Sequence, residues 1–115
     1  MVVDNSLSEG EVDSVFHALA DPTRRDILRV TIDDGHSVSG LASRYSFSFA
    51  AVQKHVAILE RAHLVTKERR GREQIVHANG PMFAKAIALL DEYATLWMDR
   101  ADRIADVLAT VREGE

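Results

Sequence analysis

The stretch from Ser48 to Leu64 combines an apolar helical repeat with an amide and a cation, Gln53 and Lys54. The repeat consists of Val52, Val56 and Leu59. It predicts a helix that packs one face against the protein and leaves the other face free. The free face carries little bulk near its start and then side chains that reach base edges and phosphates, as a helix entering the major groove of DNA requires. Its members are Phe49, Ala50, Gln53, Lys54 and Ala57.

Two short strand-like runs follow at once, over residues Val65 to Arg70 and Glu73 to His77. They flank Gly71, which permits a positive φ at the tip of a hairpin. The basic residues in and beside this tip are Lys67, Arg69, Arg70 and Arg72. Long, flexible cations at a hairpin tip suit contacts with the DNA backbone or the minor groove. A groove-entering helix followed directly by a basic hairpin predicts a winged helix.

Four further helices are expected to hold these two elements in place. Pro22 follows Asp21, which is typical of a helix start because Asp caps the first turn and Pro needs no N–H there. Ser37 and Ser48 also have capping side chains. The four predicted helices span residues 11–20, 22 to about 33, 38–45 and 81 to about 112. A short turn joins the third helix to the groove-entering helix in a helix-turn-helix arrangement, and residues 1–10 are expected to be flexible.

The second helix carries two adjacent cations, Arg24 and Arg25, whose role the sequence leaves open. They either contact DNA phosphates or pair with carboxylates inside the protein. We favour a structural ion pair for at least one of them.

The last helix is too long and too apolar for the core of so small a domain. It would extend about 48 Å, and its apolar residues recur at steps of three and four. Either a second copy of the chain buries part of this stripe, or the helix is an intrachain core helix with a frayed end. We favour a homodimer, because exposed apolar patches usually mark interfaces. The predicted interface residues are Val12, Phe16, Leu19, Leu89, Tyr93, Leu96, Trp97, Ile104 and Leu108.

Composition limits the class of protein. The chain has 115 residues, of which 46% are hydrophobic and 28% charged, and it has no cysteine. This suits one domain with a modest core and excludes disulfides, thiolate metal sites and thiol redox sensing. The sequence has no signal-peptide pattern and no long uncharged apolar run, so we expect a soluble cytoplasmic protein that does not bind membranes.

The formal net charge of −4 is unevenly distributed. Residues 48–77 hold 6 Lys/Arg and 3 Asp/Glu, whereas both flanking segments are acidic. The local field, and not the total charge, steers a polyanion, so an acidic body with a basic reading edge is consistent with DNA binding. A solvated charged hairpin, which is common in any protein, would give the same distribution.

The order of several motifs resembles the ArsR family of small winged-helix repressors. The resemblance covers about Val12 to Ile75 and rests on ALADPTRRDIL, SVSGLA, SFAAVQKHVAILERAHLV and RRGREQIV in that order. It implies a homodimer that binds double-stranded DNA at an imperfect inverted repeat near a promoter and blocks transcription until a signal relieves it. By position, the residues that would face the groove are Ser48, Phe49, Ala50, Gln53, Lys54 and His55, and the wing would be Arg69 to Arg72.

The chain departs from the family pattern at Phe49, where a polar residue is often found. A phenyl ring cannot read a donor–acceptor pattern, so Phe49 either contacts a thymine methyl group or packs at the helix start.

A second departure concerns metal sensing. Metal-sensing members place cysteines on the third helix or histidines and carboxylates on the last one. Here the third helix has no cysteine, and the last helix has carboxylates but no histidine. We therefore predict no metal site and no cofactor, and the residues point to no particular effector.

The sequence does not support an enzymatic function, because it has no Gly-rich phosphate loop, no nucleophile elbow and no metal-ligand cluster. The competing hypothesis is a winged helix used for protein interaction without DNA binding. We favour DNA binding because the expected groove face and the wing keep their cations. The predicted fold is mainly α with a small β-hairpin: a winged helix-turn-helix of five helices over residues 11–112, dimerising through its terminal helices.

Overall fold

A computed structural model describes residues 7–114, and its first helix begins earlier than predicted. Helix α1 spans Glu9–Leu19 because Ser8 and Glu11 form a capping box, in which the side chain of each accepts a hydrogen bond from the backbone N–H of the other. The predicted start at residue 11 is therefore wrong by two residues. Residues 1–6 of the predicted flexible segment lie outside the described residues.

The predicted caps of the next three helices are confirmed. Helix α2 spans Pro22–Asp33, α3 spans Val38–Arg44 and α4 spans Phe49–Arg61. At each start an N-cap oxygen accepts a hydrogen bond from a first-turn N–H, at 3.0 Å, 2.9 Å and 3.1 Å respectively. The three caps are Asp21, Ser37 and Ser48.

Helix α4 ends three residues before the predicted end at Leu64. His63 adopts a left-handed conformation with φ 60°. The N–H of Leu64 then donates to the carbonyl of Leu59 at 3.0 Å, and the N–H of His63 donates to that of Glu60 at 2.9 Å. This pair of bonds is the Schellman motif, and the buried side chains of Leu64 and Leu59 supply its usual apolar contact.

The predicted hairpin is present, but it belongs to a three-stranded sheet. Strand β1 spans His36–Ser37, β2 spans Val65–Arg70 and β3 spans Glu73–Ala78, and the antiparallel order is β1-β3-β2. Strand β1 was not predicted from the sequence. Gly35 allows it, because a Cβ there would collide with the side chain of His77 on β3. At the wing tip Gly71 has φ +60° and opens a two-residue loop between the paired Arg70 and Glu73, as the hairpin prediction required.

Helices α1 to α4 and the sheet enclose one apolar core. Its largest fully buried side chains are Ile27, Leu41, Leu59, Leu64, Val15, Val52, Val56, Val65 and Val76.

The last helix, α5, spans Gly80–Glu113 and buries only Met82. The radius of gyration is 20.4 Å, whereas a compact chain of this length has about 13 Å, because α5 projects from the body. No helix within residues 7–114 has the length and apolarity needed to cross a membrane.

Candidate nucleic-acid interface

The two faces of α4 divide as the sequence predicted. Val52, Val56 and Leu59 are buried in the core, which fixes the helix against α1, α2 and α3. Gln53 and Lys54 are exposed on the opposite side. Ser48 and Ala50 are exposed as well, so backbone and side chains at the start of α4 are accessible to a large ligand.

A groove of about 260 Å³ separates the start of α4 from the wing. On one side it is lined by Phe49 and Gln53, which are four residues apart and therefore on the same face of α4. On the other side Arg69 and Arg72 line it from the wing. The remaining lining residues are Ser37, Val38, Ser39, Glu73 and Gln74. The groove thus brings together four of the predicted site residues, Phe49, Gln53, Arg69 and Arg72, and the start of α3 and β3 completes its walls. The other five predicted residues do not line it, namely Ser48, Ala50, Lys54, His55 and Arg70.

The cations of the wing differ in whether a carboxylate of the protein lies beside them. Arg70 lies 3.3 Å from a carboxylate oxygen of Glu68, and Lys67 lies 3.3 Å from one of Glu60 on α4. Arg69 donates from Nε to the carbonyl of Gly71 at 3.3 Å and has no acidic partner in the described part of the chain.

Lys54 and Arg72 have neither an ion-pair partner nor a side-chain hydrogen bond within residues 7–114. One lies on the helix and the other on the wing. They are the cations most available to a polyanion.

His55 is turned toward α2, away from the fully exposed side of α4. Its Nδ1 lies 3.3 Å from the Arg24 guanidinium and 3.8 Å from a carboxylate oxygen of Asp21. Arginine can only donate, so in the neutral ring Nδ1 accepts and Nε2 carries the proton. His55 therefore joins α4 to α2, and only its Nε2–H has no partner in the described structure.

Arg24 and Arg25 do not form the predicted ion pairs, since no carboxylate lies within 4.0 Å of either guanidinium in the described chain. They bind the end of α1 instead. Arg24 donates to the carbonyls of Ala18 at 2.8 Å and His17 at 3.0 Å, and Arg25 donates to that of Leu19 at 2.7 Å. The last carbonyls of a helix have no intrahelical donor and carry partial negative charge, so two arginines stabilise this end.

The turn before α4 is fixed by a polar and aromatic cluster that the sequence analysis did not anticipate. Asp26 accepts hydrogen bonds from Arg44 at 3.0 Å and from the Tyr45 hydroxyl at 2.6 Å. The Tyr45 ring stacks on Phe47 with centroids 5.7 Å apart, and Phe47 faces His55 at 6.3 Å. These contacts link α2, the turn and α4, so they position the start of α4.

Two pKa values reflect this cluster. The hydrogen bonds from Arg44 and then Tyr45 lower the pKa of Asp26, because they favour its charged form. Burial, followed by the hydrogen bond to Asp26, raises the pKa of Tyr45 to about 12. The turn therefore holds a carboxylate and a neutral phenol together over the physiological pH range.

Residues 7–114 contain no cluster of three side chains from His, Asp and Glu that is arranged to hold a metal ion. The carboxylates of α5 are all exposed.

Known proteins are similar to this chain in sequence and in fold. A sequence profile of the helix-turn-helix domain matches residues 19–68. The chain is 30% identical over 61 residues to the transcriptional repressor SdpR of Bacillus subtilis, covering 53% of this chain and 68% of SdpR. It is 35% identical over 77 residues to the HTH-type transcriptional regulator YuzN of Bacillus subtilis, covering 61% of this chain and 84% of YuzN.

The solved structure of an ArsR-like transcriptional regulator from Rhodococcus sp. RHA1 superposes with a TM-score of 0.80 at 33% identity. The match covers 88% of this chain and 93% of that one. These similar proteins are transcriptional regulators and not enzymes. The chain therefore belongs to the ArsR family of winged helix-turn-helix proteins and is a DNA-binding transcriptional regulator.

Proposed function

We propose that the protein is a cytoplasmic, homodimeric repressor that binds an inverted repeat near promoters. One observation carries this proposal: Phe49 and Gln53 of α4 line one groove with Arg69 and Arg72 of the wing. Within residues 7–114, Arg72 and the exposed Lys54 beside Gln53 have no acidic partner. The repressor assignment is supported by the similarity to SdpR, which is named a transcriptional repressor.

In this proposal α4 enters the major groove with its start toward the bases. Residues at the start of such a helix contact base edges, and Gln is suited to bidentate contact with N6 and N7 of adenine. Lys54 would reach guanine or a phosphate. Ser48 and Ala50 would allow close approach of the backbone, and His55 would donate from Nε2. The wing residues Arg69, Arg70 and Arg72 would contact the DNA backbone or the minor groove.

The outer part of α5, residues 90–113, supports the dimer. Its apolar residues and alanines continue a seam with alternating steps of three and four, which is the heptad pattern of a coiled coil. The seam consists of Ile87, Leu90, Ala94, Trp97, Ala101, Ile104, Leu108 and Val111. Opposite the seam, four acidic residues lie seven positions apart, namely Glu92, Asp99, Asp106 and Glu113. Trp97 is 66% exposed in the single chain, so its own chain does not cover it. A second copy would present the same seam and could cover it.

The sizes of the seam residues favour antiparallel α5 helices. If the two copies cross near residue 99, Trp97 of one copy faces Ala101 of the other, and Ala94 faces Ile104. Each small side chain then meets a large one, and the layers have similar volumes. A parallel pair would set Trp97 against Trp97 and Ala101 against Ala101, alternating overcrowded with empty layers. Both arrangements are two-fold symmetric, so the sizes of the facing residues, and not symmetry, favour the antiparallel one.

The other predicted interface residues have less surface to offer. On α1 Phe16 is 45% exposed, whereas Val12 and Leu19 are half-buried, and Leu19 packs against the core of its own chain. Leu89 on α5 is half-buried too. Phe16 is therefore the α1 residue that we expect to contribute most. On α5, Trp97, Ile104 and Leu108 lie in the seam and supply the larger part of the interface. Tyr93 flanks the seam, and Leu96 lies outside it in this arrangement.

The proposal is tested by selecting bound duplexes from a random DNA pool at two salt concentrations. We expect an inverted repeat with half-sites about 34–36 Å apart, and affinity that falls steeply as salt rises. Failure to recover a motif, together with weak and salt-independent binding, would contradict the proposal and favour a protein-interaction role.

A matched pair of wing variants tests the role of the free cation. Arg72→Ala should weaken binding to all duplexes and lower the log–log salt slope by roughly one, because one phosphate contact is lost. Arg70→Ala should have a smaller effect, since Glu68 already offsets the Arg70 charge. Equal effects of the two substitutions would contradict this assignment of the wing contacts.

A further inference from the structure

Two phenylalanines flank the cap of α4 and are almost equally exposed, Phe47 at 46% and Phe49 at 47%. Phe47 has aromatic neighbours within its own chain, since its ring stacks on Tyr45 and faces His55. Phe49 has no aromatic partner within residues 7–114. Aromatic contacts therefore hold Phe47 at the helix start, and no such contact holds Phe49.

The surroundings of Phe49 do not suit an apolar ring. The groove that it lines is otherwise formed mainly by hydroxyl, amide and charged side chains, with Val38 as the one other apolar residue on its walls. Leaving a large aromatic surface in water beside such groups is unfavourable unless a ligand covers it. The facing wall carries two cations, Arg69 and Arg72, and one carboxylate, Glu73, so its charge favours an anionic ligand.

The position of Phe49 on α4 selects the part of DNA that the ring would meet. It is the first residue of the helix, and Gln53 lies one turn further on the same face. Both side chains would therefore face neighbouring base pairs in the major groove. Among the groups exposed there, the only apolar one is the 5-methyl group of thymine.

We propose that Phe49 is a specificity-determining residue that contacts the 5-methyl group of one thymine in each half-site. This inference rests on the proposed entry of α4 into the major groove. The ring excludes water from the methyl group, while Gln53 reads an adenine one or two base pairs away. Selected sites should therefore contain a thymine close to an adenine at a fixed position of each half-site.

The experiment uses the duplex recovered by selection from the random pool, with each thymine of the half-site replaced in turn by uracil. Uracil keeps the base pairing and lacks only the methyl group. We expect one position at which uracil weakens binding of the unaltered protein by about three- to fivefold per half-site, as expected for loss of one buried methyl group. In Phe49→Ala the same replacement should have no further effect. Phe47→Ala is the matched control and should keep the full uracil effect.

The outcomes separate this inference from the proposed function. Specific binding without any uracil-sensitive position would overturn the inference and leave the repressor proposal intact. A uracil effect of unchanged size in Phe49→Ala would also overturn it, because another residue would then contact the methyl group. Recovery of no motif would overturn both. The absence of any uracil-sensitive position on the unaltered protein overturns the inference even if Phe49→Ala does not fold, and a melting curve of each variant shows whether it folds.

Discussion

Leucines in two regions of this protein have opposite surroundings. In the body, residues 7–89, Leu59 is 0% exposed and packs among residues from several elements. In the outer part of α5, Leu108 is 58% exposed and no buried residue is found from residue 90 onward in the described chain. In both regions the apolar residues recur at steps of three and four along the helix. Regular periodicity therefore predicts that a face will be covered, without telling which molecule covers it.

This difference assigns separate roles to the two regions. The body has an apolar core within one chain and carries the surface that we propose to contact the DNA groove. The outer part of α5 has no such partner, and a single helix in water is only marginally stable unless its apolar face is packed. Its order should therefore depend on association, and the body should remain folded when association fails.

The largest effect that separates the two regions is expected from Ala101→Glu. In the antiparallel pair, this substitution would bury an unpaired carboxylate against Trp97 in both halves of the seam. An unpaired buried charge costs about 3–5 kcal/mol, so the dimer dissociation constant should rise at least a hundredfold. Sedimentation should then show the single-chain mass of 12.8 kDa, while circular dichroism should still show a folded body.

Thr95→Glu is the matched control for this prediction. Thr95 lies on the same helix but outside the seam, so the same charge should remain in water and leave the dimer intact. A dimer of undiminished stability in Ala101→Glu would contradict the seam, whatever its effect on folding.

The next effect compares the same substitution in both regions. Leu59→Ala should lower the free energy of unfolding by about 2–5 kcal/mol at any protein concentration, because it leaves a cavity in a core formed by one chain. Leu108→Ala should lower the melting temperature by an amount that depends on protein concentration, because it acts through association. Denaturation at several concentrations distinguishes them. A concentration-dependent loss in Leu59→Ala would mean that the body does not fold alone.

Much of the fold could be predicted from local signals. Asp21, Ser37 and Ser48 cap helices because their side chains bond to the next turn, and that chemistry is readable over four residues. The same signal at Ser8 and Glu11 was available and was missed. Strand β1 was not readable, because two residues have no periodicity and their pairing is made by β3, about 40 residues later. The bend at His63 was hidden because a non-glycine residue seldom takes a positive φ.

The exposure of the candidate site residues could be predicted from the sequence, and their internal contacts could not. The spacing of Gln53 and Lys54 placed them on the free face of α4, and both are exposed there. The sequence did not indicate that Arg70 pairs with Glu68 while Arg72 is free, since that depends on side-chain geometry at the hairpin. It also led to an ion pair for Arg24, where folding supplies main-chain carbonyls as acceptors.

The smallest effect concerns the contact between α2 and the turn before α4, which lies wholly within the body. Tyr45→Phe removes the hydroxyl that donates to Asp26 at 2.6 Å, and it should lower the free energy of unfolding by about 1 kcal/mol at neutral pH. Tyr93→Phe, at an exposed position of the outer part of α5, is the control and should leave the stability of the body unchanged. Urea denaturation of both variants from acid to alkaline pH measures the difference.

The stability difference between the original protein and Tyr45→Phe should decrease both at acid pH and at alkaline pH. The pKa of Asp26 is lowered by Arg44 and Tyr45, so the stabilisation is present above its ordinary value of 3.8 and is lost as pH falls through the folded pKa. The pKa of Tyr45 is raised to about 12, so the stabilisation is complete below its ordinary value of 10.0 and is lost as pH rises through about 12. The gap between the original protein and Tyr45→Phe should therefore be widest between these limits and narrow beyond both. A gap that stays constant down to acid pH would show that the hydroxyl acts through packing, and the bond to Asp26 would then contribute nothing to holding the start of α4.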